Sequence, residues 1–234
     1  MHQPYYDSIG KHMIASWLKY WTGDYKLHLY LEDCEIDFDD CRLVIVDWNK
    51  HCKQDWENFI TKTDHPQAHT FAKKGFATLH AWRNIQGDRT VWLDADVLFT
   101  KTMTHDVLER SLEGCMIALF ESVYRVQPPT AFSAESGYVI VDNTHDQFEA
   151  FVNEYERLYR SETKPDTTYN WWDNQVLMAA AHPFRSVVND LTRYKQRKTQ
   201  TPLNACWLGE YMKHFKANGK DRITSEDIAR ITQI

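Results

Sequence analysis

The sequence contains no hydrophobic run approaching the ~20 residues of a membrane-spanning helix, so no span is expected. The opening Met1-His2-Gln3-Pro4-Tyr5-Tyr6 has no signal-peptide character. Cysteine is sparse. Cys34, Cys41, Cys52, Cys115 and Cys206 are odd in number and form no Cys-x-x-Cys pair. That excludes a disulfide framework and a zinc knuckle and fits a reducing, cytoplasmic setting. There is no excess of basic charge. Lys and Arg total 27 against 33 Asp and Glu, a formal net charge of −6, which does not suit a general nucleic-acid binder. Internal repeats, low-complexity segments and an N-terminal Gly-rich phosphate loop are all missing.

What the chain has is apolar mass. Aromatic residues make up 14% of 234 positions, including nine Trp, enough for a large core. Ile9, Met13, Ile14, Trp17, Leu18 and Trp21 recur at helical spacing up to Gly23. Leu27, Leu29 and Leu31 alternate as in a strand, and Leu43–Val46 reads as another. Helices are expected at Gln54–Thr61 and Gln67–Gln86, then a strand at Val91–Leu93. A helix near His105–Leu112 precedes a strand at Cys115–Phe120, and a strand at Ser136–Val141 precedes a helix at His145–Arg160. Trp171–Ala181 reads as one more helix, and Ser225–Ile234 as a surface helix. The pattern is α/β with a mostly parallel sheet flanked by helices.

The chemistry concentrates in Val91-Trp92-Leu93-Asp94-Ala95-Asp96-Val97-Leu98-Phe99. In extended chain, residues i and i+2 point the same way, so Asp94 and Asp96 are expected to face one point at a strand end. Two hard oxygen donors there suit Mg²⁺ or Mn²⁺. A second copy, Asp37-Phe38-Asp39, has no apolar strand before it and reads as a solvated loop.

Four segments in this order resemble the GT-A class of nucleotide-sugar glycosyltransferases, most of all its metal-using glycogenin-like, bacterial and viral members. Tyr5–Tyr30 resembles their opening helix and second strand, and Val91–Phe99 their Asp-x-Asp strand. Ser136–Val141 resembles the strand beneath the donor sugar. His214 with Gly219 and Lys220 is similar to their C-terminal His-x-x-Gly-x-x-Lys signature with altered spacing. The resemblance implies a Rossmann-like single domain over 1–234, with a nucleotide-binding half to about residue 100 and an acceptor-side half after it. It also implies a first strand just before Tyr5, where only four residues stand.

The same resemblance implies site residues. Asp96 and His214 become metal ligands, and Asp94 a metal or ribose contact. Lys74 and Lys220 become diphosphate clamps, with Gly137 and Trp172 near the donor sugar. Asp173 becomes either the general base on the acceptor hydroxyl or a binder of donor-sugar hydroxyls, with Gln175 near the reacting face and Glu135 as an alternative carboxylate. An imidazole ligand favours Mn²⁺ over Mg²⁺. The implied activity is metal-dependent transfer from a nucleotide sugar to a glycan. A hydroxylated DNA base is the alternative acceptor, because Arg193, Lys195, Arg197 and Lys198 put four cations into six residues. Nucleotidyl transfer and a non-catalytic sugar-nucleotide binding module are the other readings.

Overall fold

The computed structural model describes residues 1–122, 133–161, 171–194 and 201–215, together with residues 224 and 226. The helices in chain order are α1 (Gln3–Tyr5), α2 (Lys11–Tyr20), α3 (Trp48–His51), α4 (Lys53–Ile60), α5 (Pro66–Asn84), α6 (His105–Leu112), α7 (Phe148–Arg160) and α8 (Asp173–Ala181). The strands are β1 (Leu27–Leu31), β2 (Leu43–Asp47), β3 (Arg89–Leu93), β4 (Val97–Phe99), β5 (Ile117–Ser122), β6 (Ser133–Asp142), β7 (Val188–Asp190) and β8 (Met212–His214). The expected helix at Ser225–Ile234 falls outside the described residues. No described helix is long and apolar enough to cross a membrane.

The chain folds as two compact units, each made of separated stretches. The first comprises Met1–Trp48, Leu93–Arg110 and Tyr194–Ile234; the second comprises Asn49–Trp92 and Ser111–Arg193.

In the first unit, α2 buries Met13, Ile14 and Trp17, the apolar stripe legible in the sequence. Trp17 stacks on Trp21 at 5.8 Å, and Trp21 meets Phe99 edge-to-face at 5.6 Å. Ser16 is fully buried on this stripe. Its hydroxyl donates to the Met13 carbonyl at 2.9 Å and accepts the Phe99 amide at 3.1 Å, tying α2 to β4. Arg42 satisfies the open end of α2 by donating to the Leu18 and Trp21 carbonyls at 3.0 Å. Strands β1 and β2 run parallel, Leu27 opposite Leu43. Met1 lies along β1 in parallel register: its amine donates to the Tyr30 carbonyl and its carbonyl accepts the Glu32 amide. Strands β4 and β8 pair antiparallel, with Val97 opposite His214.

In the second unit the sheet order is β3-β6-β5-β7. Ile117–Phe120 of β5 is fully buried at its centre. Helix α7 buries Phe151, Val152, Tyr155, Leu158 and Tyr159, and α8 buries Val176, Leu177, Met178, Ala180 and Ala181. Helix α8 packs on both α7 and β6, which is why its apolar residues run around more than one face. Trp171 is core, meeting Phe59 edge-to-face at 5.3 Å.

Two local expectations change. The pairings are mixed: β1–β2 and β5–β7 are parallel, β5–β6 and β4–β8 antiparallel. Asp94 and Asp96 also do not lie on one extended strand. They sit in a turn between β3 and β4, closed by the Val97 amide donating to the Asp94 carbonyl at 3.0 Å. Turn geometry, not strand periodicity, brings their carboxylates to one side.

Candidate functional site

The first unit brings Asp94, Asp96 and His214 together. One ligand atom from each lies within 4.8 Å of the others. The Asp94–Val97 turn supplies the two carboxylates, and the last residue of β8 supplies the imidazole. His214 is 3% exposed and pinned through its backbone. The Asn204 side chain donates to the His214 carbonyl at 2.9 Å and accepts its amide at 2.8 Å. The next amide, Phe215, donates to the Asp96 carbonyl at 2.9 Å. Gly209 lets the chain close over this clamp, because a Cβ there would sit 2.8 Å from the Asn204 carbonyl oxygen.

His214 Nε2 stands 3.1 Å from Asp96 Oδ1. Asp96 Oδ1 is buried and makes no hydrogen bond among the described residues. The two atoms therefore approach without hydrogen-bond geometry, as two ligands of one ion do. Metal–nitrogen and metal–oxygen bonds of roughly 2.1 Å at right angles leave their donor atoms about 3.0 Å apart. Spacing, burial and donor chemistry all fit an octahedral divalent cation. Tyr5, which the sequence did not single out, lies against this centre. Burial first, and then the charges of Asp96 and Asp94, push its phenol far above the ordinary range. It stays protonated and uncharged.

The second unit brings a different set together. Between Ala118 and Phe120 of β5 the partner on β6 moves from Ile140 to Glu135, two residues on one strand against five on the other. This bulge contains Ser136 and the buried Gly137. Lys74, from α5, donates to the Ser136 carbonyl at 2.7 Å and to its hydroxyl at 3.0 Å. The Ser136 hydroxyl in turn donates to Asp173 Oδ2 at 2.9 Å. Lys74 Nζ lies 3.4 Å from the same oxygen, the side chains being 18% and 8% exposed. Lys74 also stands over the Trp92 ring at 5.3 Å. Lys74 and Asp173 are thus joined through Ser136, a residue the sequence gave no reason to choose. Gln175 is buried on α8 and Glu135 on β6, while Trp172 is half-buried. Beneath Asp173 the phenols of Tyr155 and Tyr159 are both pushed upward, by burial first, with the Asp173 charge contributing to each.

Lys220, Lys195, Arg197 and Lys198 lie outside the described residues. Arg193 is exposed and ion-paired with Glu113.

No family model and no curated protein matches the sequence. Solved structures do match. The apo form of mouse xyloside xylosyltransferase 1 is similar with a TM-score of 0.51 at 10% identity, covering 80% of this chain and 79% of that one. The galactosyltransferase LgtC, solved with donor and acceptor sugar analogues, matches with a TM-score of 0.48 at 14% identity, over 80% of this chain and 70% of that one. The apo glycosyltransferase GlyE of Streptococcus pneumoniae TIGR4 matches with a TM-score of 0.46 at 12% identity, over 82% of this chain and 44% of that one. At such identities the likeness is one of fold, and the xylosyltransferase match with the element order above gives this chain the GT-A fold.

Proposed function

We propose that this protein transfers a sugar from a nucleoside-diphosphate sugar to an acceptor hydroxyl, using a divalent cation. The observation that carries the reading is the Asp94–Asp96–His214 set, whose ligand atoms converge within 4.8 Å on an Asp-x-Asp turn. A cation held there supplies Lewis-acid stabilisation of the departing diphosphate. Two carboxylates and an imidazole favour Mn²⁺ over Mg²⁺.

In the transfer itself, the acceptor oxygen bonds to the anomeric carbon as the bond from that carbon to the terminal phosphate oxygen breaks. The diphosphate keeps the electron pair, and its departing oxygen takes the proton that the acceptor hydroxyl loses. Asp173 receives the Ser136 hydroxyl and has Lys74 beside it. A carboxylate with its charge countered in this way is a weak base but a good acceptor for sugar hydroxyls. We therefore assign Asp173 to binding the donor sugar, and Lys74 and Ser136 to fixing its carboxylate. Gln175 and Glu135 remain the nearby polar groups of the same reading.

The test is acceptor-free release of nucleoside diphosphate from a panel of nucleotide sugars, in Mn²⁺ and in chelator. Release from one donor, dependent on Mn²⁺ and at least 100-fold lower in Asp96→Ala, supports the reading. Near-wild-type release by a folded Asp96→Ala protein refutes the metal assignment.

A further inference from the structure

One feature of the second unit is used neither by the Lys74–Asp173 pair nor by core packing. Among the described residues only Ile45 and Phe71 are exposed large hydrophobic side chains, Phe71 at 40%. Phe71 lies on α5 three residues before Lys74, so the two share a helix face. Its ring meets Trp172 with centroids 5.9 Å apart and planes at 62°. Trp172 immediately precedes Asp173, the partner of Lys74. Helix α5 and the start of α8 therefore touch at two neighbouring places, one aromatic and one ionic. They are about one helical turn apart, ~5.4 Å, close to the width of a single sugar ring. Trp172 is itself only half-buried, so the two rings present an aromatic corner beside the Lys74–Asp173 pair.

We propose that the Phe71–Trp172 corner is the acceptor subsite and that its ligand is a pyranose ring of a neutral glycan. The inference rests on the sugar-transfer reading above and deepens it. The apolar C–H face of the sugar ring lies on the aromatic walls, and its hydroxyls stay in water and keep their hydrogen bonds. A nucleobase suits the corner less well. Base recognition uses flat stacking on an aromatic face with cations along the phosphates. Here the planes meet at 62°, and Arg193, the described member of the basic cluster, is already paired with Glu113.

The experiment compares transfer to a panel of p-nitrophenyl monosaccharide glycosides with acceptor-free diphosphate release from the same donor, in wild type, Phe71→Ala and Phe71→Trp. Phe71 is exposed, so both variants fold, and thermal melts check this. The expected result is an acceptor KM at least five-fold higher in Phe71→Ala, an unchanged donor KM, and recovery in Phe71→Trp. An unchanged acceptor KM overturns the proposal, as does a donor KM that rises equally. Donor cleavage with transfer to no glycoside overturns the ligand class, and competition by single-stranded DNA instead of glycosides overturns it in favour of a base. Wild-type protein that releases diphosphate from no donor defeats the sugar-transfer reading, and this proposal with it.

Discussion

Replacing Gly75 by Ala sets two effects of opposite sign against each other. Gly75 is in the middle of α5, and in an exposed helix interior the change would stabilise by about 1 kcal/mol. Here the new methyl would meet Tyr159. It would lie 2.8 Å from ring carbon Cε2 and closer still to Cζ and the hydroxyl oxygen, well inside carbon–carbon contact distance. The ring cannot retreat. Tyr159 is 1% exposed and held by Phe59, Phe76 and Tyr155, with centroids 5.6, 5.0 and 5.2 Å away. Overpacking of this kind costs roughly 1–3 kcal/mol, more where nothing can move, so it outweighs the helical gain. The expected net loss is about 2 kcal/mol, in a domain whose whole stability is on the order of 5–15 kcal/mol. The strain has a second readout. If α5 yields, Lys74 next to Gly75 moves off the Ser136 carbonyl, now 2.7 Å away, and donor affinity falls with stability. Urea unfolding and donor KM measure both. A Gly75→Ala protein as stable as wild type would show that Tyr159 is not locked, and would refute the reasoning.

Two further outcomes follow from particular contacts. Asn204→Ala removes both hydrogen bonds to the His214 backbone. Mn²⁺ affinity should fall 10- to 100-fold, as for other groups that orient a metal ligand, in protein whose circular dichroism is unchanged; equal affinity would show that β8 alone aims the imidazole. Cys52 is buried and donates to the Phe76 carbonyl at 3.8 Å. Burial first, and then the Asp55 charge, push its thiol up to about 12 from the ordinary 9.0. Between those values the unfolded chain has lost a proton that the folded chain keeps, so stability falls as pH rises through that window, by at most about 1.4 kcal/mol per pH unit from this group. Urea midpoints of Cys52→Ala should decline less steeply than wild type from pH 9 to 11, and identical slopes would contradict the assignment.

Periodicity carried the large elements. The buried stripes of α2 and α7 are the apolar positions visible in the sequence, and β1 shows the expected alternation, with Leu27, Leu29 and Leu31 buried. The grouping of Asp94, Asp96 and His214 was legible because Asp-x-Asp follows an apolar run and His214 could be matched to a known signature. What stayed hidden depends on pairings between distant segments. The β6 bulge exists only against β5, and it alone turns Ser136 toward Lys74 and Asp173, 62 and 37 residues away. The amide of Asn204 replaces a missing strand neighbour for His214, and nothing in its local sequence marks it. Tyr5 was visible as an aromatic in an opening helix, but its approach to Asp96 is set by how the first unit closes. The turn at Asp94–Val97 was misjudged for the same reason: apolar residues on both sides look continuous, while the chain reverses pairing partner between them.

The central claim is that Asp94, Asp96 and His214 hold a divalent cation. Its most direct test is Mn²⁺ titration followed by loss of the free-ion electron paramagnetic resonance signal, in wild type, Asp96→Ala and His214→Ala. The account predicts one saturable Mn²⁺ per chain in wild type and at least 100-fold weaker binding in each variant. No saturable binding by wild type up to millimolar Mn²⁺, or equal binding by a folded Asp96→Ala protein, would contradict it.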